Sequence, residues 1–156
     1  VGVAWAWPGA VAESATAAGA LGIATYCAVI TAVVDAAVGE AAQRLAGRTL
    51  RPYEDVAWAQ AEIDHWMLTQ AQRGLIADLA EATPGVAATS ALKAKIGMAG
   101  LAESVLDNVC RAVGGGAFSS SSPFATWYED VRALGYLRPP WALAFDQLIA
   151  RRHEHT

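Results

Sequence analysis

The residues able to do chemistry in this chain are few and widely spaced. Glu13 stands at the head of a long uncharged run. A carboxylate at a helix start that faces an apolar cleft could act as a general base. As a plain helix N-terminal charge it is worth roughly 0.3–1 kcal/mol. Glu129, Asp130 and Arg132 form a charged cluster, the pattern of a solvated or interhelical ion-pair face. Arg138 precedes Pro139 and Pro140. Its guanidinium stays protonated at neutral pH and cannot accept a proton from a substrate. The triplet Gly114 to Gly116 would let a backbone approach a ligand, or would cap a helix and turn the chain. It is not a phosphate loop, because no Lys-Ser/Thr follows and the glycines end a helical segment. Arg44, Arg48 and Arg51 surround a short connection and could meet phosphate or be surface charge. His65 has Asp64 and Glu62 nearby but no Glu-x-x-His and no second His at helical spacing, so no metal site is expected.

The elements that must position these groups follow from composition. The chain has 156 residues, 54% apolar and 17% charged, which is enough for one domain with a real core. Abundant alanine with Leu, Glu, Gln and Arg favours helix. Val and Ile fall in helix-spaced patterns, with no alternating run that would make a strand. A net charge of −4 supplies no electrostatic attraction to nucleic acid. Cys27 and Cys110 are too few for a disulfide framework and sit in apolar helical stretches, as buried thiols of a reducing cytoplasm would. No charge appears from Ser14 to Val34, a run long enough to span a bilayer. It is rich in Ala, Gly and Thr and lacks flanking Lys or Arg, so a buried central helix is expected, with no membrane partner. The N-terminus shows no basic region of a signal peptide.

Punctuation divides the chain. Residues 1–10 read as an irregular opening segment, 11–152 as a helical domain and 153–156 as a disordered tail. A first helix is predicted from about Val11 to Ala46, stopped by Gly47. A second begins at Pro52, with Glu54 and Asp55 in its positive first turn, and runs to about Ala82. Val56, Ile63, Met67, Leu75 and Leu79 are among its apolar positions. A third spans about Ala87 to Val113, with Gly114 as its cap. A short helix from Pro123 to about Leu134 and a last one from Trp141 to Arg152 follow. The expected fold is all-α: an up-down four-helix bundle whose fourth helix is broken.

The order helix, Gly-Gly-x-x-Phe, polar loop, Pro and acidic pair, from Gly114 to Asp130, resembles the C-terminal helical domain of the acyl-CoA dehydrogenase superfamily. Ala17 to Gly22 and Ala91-Leu92-x-Ala-Lys95 are similar to that family's first and third helices. The resemblance implies an FAD-dependent oxidation of an acyl thioester. It puts Gly114, Gly115 and Arg44 near the flavin, and Arg138 where many members carry the Glu that removes the substrate's α-proton. Other members place a base near the first helix, within one residue of Glu13. Several motifs depart from the family. Glu129 replaces its Arg, and Pro139-Pro140 replaces its Gly-Thr. Gln43 to Arg48 lacks the aromatic of Arg-x-x-Phe-Gly, and Glu54 falls near its Gln. The other family domains, which hold most of the flavin and thioester, have no counterpart in this sequence.

Three readings follow. The chain is the C-terminal domain or a supporting subunit of such a flavoprotein, with the usual base replaced. Or it is a non-catalytic helical assembly module. Or it is a stand-alone enzyme reusing the bundle cleft, with Glu13 as acid or base. Each expects oligomer formation through helical faces, since thin Ala/Gly faces and six tryptophans in a small domain leave apolar surface exposed.

Overall fold

The computed structural model describes residues 7–137 and 139–153. Five α-helices account for most of them: α1 (Trp7–Leu45), α2 (Pro52–Glu81), α3 (Pro84–Val113), α4 (Phe124–Gly135) and α5 (Trp141–His153). A 3-10 turn, Gly115–Phe118, joins α3 to the loop before α4. There is no strand among the described residues, so the protein is all-α.

The helix ends are set by the residues that punctuate the sequence. Gly47 has φ 73°, a left-handed conformation that glycine adopts without strain, and it stops α1. Pro52 opens α2, and the Glu54 carboxylate turns back to accept the Arg51 N–H at 2.7 Å. Thr83 is extended ahead of Pro84, as the residue before proline must be outside a helix. Gly114, φ 81°, caps α3 by donating its N–H to the Cys110 carbonyl at 2.9 Å. Two boundaries differ from expectation. α1 begins at Trp7, inside the segment expected to be irregular, and α3 begins at Pro84 itself. At the other end His153 still closes α5, and the rest of the expected tail lies outside the described residues.

α3 is the central helix. It packs against α1, α2, α4 and α5, and it buries residues around more than one side, among them Leu92, Met98, Val105 and Val109. α1 contributes a seam at alternating three- and four-residue spacing: Ala20, Ile23, Cys27, Ile30, Val34, Ala37 and Ala41. Only 33% of its most apolar stretch is buried, so the run from Ser14 to Val34, expected as a buried central helix, packs by one face and α3 takes the central place. α1 is also the one described helix long and apolar enough to cross a membrane by length and composition.

α2 corrects the reading of its core face. Its buried seam is Glu54, Ala57, Ala61, Asp64, Leu68 and Leu75. Val56, Ile63 and Met67 lie outside, with Val56 71% exposed. Of the five apolar positions, Leu75 is buried and Leu79 packs against the core, and alanine fills the rest of the narrow α2–α3 seam, where larger side chains would hold the helices apart. Asp64 is buried there and accepts hydrogen bonds from Ser104 Oγ at 2.6 Å and Gln60 Nε2 at 2.9 Å. His65, one turn-face away, meets Asp35 of α1 at 2.6 Å and so ties α1 to α2. Both cysteines are free and buried.

Candidate functional site

The residues proposed from sequence fall at two ends of the molecule. Glu13 and Arg44 share α1 but stand roughly 46 Å apart along its axis. Arg44 belongs to the end where α1 and α3 terminate. Its guanidinium donates to Glu40 Oε1 at 2.7 Å and to Ser122 Oγ at 3.2 Å, and lies 5.0 Å from the Phe124 ring centroid. Arg48 donates to the Val113 carbonyl at 3.4 Å, beside the Gly114 cap. These contacts lock the loop after α3 onto α1.

Arg44 is committed to internal partners, and a Cβ placed on Gly114 or Gly115 would meet no atom within 4 Å, so nothing packs against these glycines that requires their bareness. Gly114 is needed for its backbone angle. Glu129 and Asp130 are exposed on α4. Arg111 pairs with Asp107 at 2.7 Å, and Arg132 lies 5.9 Å from the Tyr128 ring centroid.

A groove of about 730 Å³ lies between α1, α3 and α5. Gly19, Ala20 and Ile23 of α1 form one side, Leu92 of α3 the floor, and Leu143 of α5 the other side. Pro139 and Pro140 close one rim, so the segment between α4 and α5 is a wall of the groove. Tyr26, Gln147 and Arg151 supply its polar edge. Arg151 is held by the Gly85 carbonyl at 3.1 Å and Thr89 Oγ1 at 3.2 Å, which pins the end of α5 to the start of α3. Glu13 does not line this groove. It is exposed on the rim of an adjoining shallow hollow of about 480 Å³ that shares Thr16, Gln147 and Arg151. Arg138 lies outside the described residues.

Beneath the wall is a pair of groups that sequence reasoning treated only as motif and core. Lys95 is 2% exposed. Its Nζ donates to the carbonyls of Leu137 and Pro139, on either side of position 138. Burial pushes the Lys95 pKa below the usual lysine range, with Cys27 acting the other way. Burial also pushes the Cys27 thiol up to about 11, opposed by Lys95. A thiol so raised stays protonated at neutral pH and is not an activated nucleophile. The signal for Lys95 was in the sequence. It continues the stripe Ala88, Ala91, Leu92, then Met98 and Ala102, so the helical register puts it on the inner face.

The groove can therefore hold an apolar group between thin helix faces. Among its lining residues there is no carboxylate, histidine or thiol to move a proton. No protein-family model matches the chain, and no curated protein or solved structure matches it.

Proposed function

We propose that this chain is a supporting, non-catalytic component of an acyl-CoA dehydrogenase-like flavoprotein, either as the C-terminal domain of a longer polypeptide or as a subunit. In this reading α1, α2 and α3 are the long members of an up-down four-helix bundle, and α4 with α5 is its broken fourth member. The observation that carries the reading is the groove wall. The segment before Pro139-Pro140 is fastened to Lys95 of α3 beside an apolar groove, and this is the segment in which the sequence likeness puts a guanidinium in place of the proton-abstracting carboxylate. The thioester and FAD are then held mainly by other domains or by a partner polypeptide in the cytoplasm, and this chain supplies shape. No catalytic step is assigned to its residues.

The experiment is the visible spectrum and intact mass of the purified chain, alone and after addition of FAD, compared with the complex isolated through a tag on this chain. A colourless isolated chain and a yellow complex containing a second flavoprotein polypeptide are the expected pair. A colourless complex containing only this chain would sink the reading.

A second reading, a helical assembly module with no flavin association, is favoured by the outer faces of α1 and α2. Leu21 and Val29 of α1 and Val56, Ile63 and Trp66 of α2 are all exposed. A stable colourless homo-oligomer would select it.

A further inference from the structure

The segment between α4 and α5 ends in two residues that lack a backbone donor. Pro139 and Pro140 have no backbone N–H, so this wall of the groove cannot be tied down through their amides. Among its described residues the Tyr136 N–H goes to the Ala133 carbonyl at 3.0 Å, within the end of α4, and the ties to other helices run through carbonyls. The Pro140 carbonyl accepts the Ala144 N–H at 3.0 Å and starts α5. The carbonyls of Leu137 and Pro139 both go to Lys95. Among the described residues no carboxylate pairs with that ammonium. A buried ammonium with no counter-ion is costly unless its donors are used. The positions around it on α3, Ala91, Leu92 and Met98, are apolar and buried. A methionine or leucine at 95 would suit that core. The amine is explained by what it binds.

We infer that Lys95 is the positioning residue of the α1–α3–α5 groove: its ammonium ties the backbone on both sides of position 138 to α3, and without it the proline wall swings away from the groove. The inference goes beyond the supporting-component reading and needs no flavin. It also predicts what the wall covers. Cys27 is fully buried on α1, within electrostatic reach of Lys95, and its neighbours Ile23 and Tyr26 line the groove. Opening the wall exposes this thiol.

The test is K95M, with K93M as control, since Lys93 is exposed on the same helix. Both are made in a Cys110→Ala background so that Cys27 is the sole thiol. K95M should speed hydrogen exchange at the Tyr136 and Ala144 amides by about tenfold or more while α2 amides are unchanged. It should also speed iodoacetamide modification of Cys27 by about tenfold or more. The sign is diagnostic. Losing a nearby positive charge raises a thiol's pKa and slows alkylation, so a faster reaction reports opening and not electrostatics. Exchange equal to that of K93M, with slower alkylation, overturns the inference. Should K95M fail to fold, the wild-type protein decides. A slowly exchanging lysine ammonium signal in nitrogen-15 spectra at mildly acidic pH, lost in K95R but retained in K93M, is the expected result. No protected ammonium overturns the inference.

Discussion

Asp64 shows how a single side chain can be functional in appearance and structural in effect. It is a buried carboxylate next to a histidine, a combination that invites a catalytic reading. Its oxygens are taken up by Ser104 and Gln60, while His65 turns to Asp35. Ser104→Ala removes a donor from a buried charge and should cost about 1–3 kcal/mol in urea unfolding, with no change of helix content by circular dichroism. Cys27 gives the pH dependence. Its folded pKa, about 11, is above its ordinary 9.0, so the folded state binds the proton more tightly. Its contribution, about 2–3 kcal/mol, is complete below pH 9 and is lost as pH rises through about 11. Lys95, whose pKa is lowered, acts oppositely: the folded state gives up its proton first, so stability rises with pH toward 10.5. Cys27→Ala should therefore turn a falling alkaline limb into a flat or rising one in a pH series of thermal melts. Residue types were readable from sequence. Partners such as Ser122 for Arg44 were not, because they come from distant parts of the chain.

Helix ends were legible where Gly47, Pro52 and Gly114 force them, through a positive φ or a missing N–H, while the start of α3 at Pro84 came earlier than the expected Ala87. Helix faces were less so. On α2 the buried stripe holds Leu68 and Leu75 beside alanines and two carboxylates, while Val56, Ile63 and Trp66 stay outside. An alanine-rich helix carries a weak amphipathic signal, and alanine is equally at home in a tight seam and on a surface. The difference is measurable. Leu68→Ala, at a fully buried site, should cost about 2–5 kcal/mol in denaturant unfolding. Ile63→Ala, 52% exposed, should stay within about 0.5 kcal/mol of wild type. The candidate groove was invisible in the sequence for the same reason: it is bounded by faces of α1, α3 and α5, and only their packing brings Gly19, Leu92 and Leu143 together.

At the scale of the molecule, the all-helical class followed from composition, whereas the proposed function rests on a likeness concentrated between Gly114 and Asp130. The exposed apolar residues of α2 bear on assembly. Trp66, 63% exposed, sits near Ile63 and Met67 on the outer surface. In the assembly reading proposed above, Trp66→Glu should shift sedimentation velocity toward monomer at fixed concentration while leaving the melting temperature of the monomer unchanged. Oligomers that persist unaltered would remove α2 from the contact.

The central place of α3 has a consequence for biosynthesis. The seams of α1 and α2 both close largely on a helix that is translated after them. While the ribosome is still making residues 84–113, the nascent chain has a long apolar rod in hand and its main packing partner not yet made. That interval is when a chaperone, or a targeting factor that reads apolar segments, has its best opportunity to engage α1.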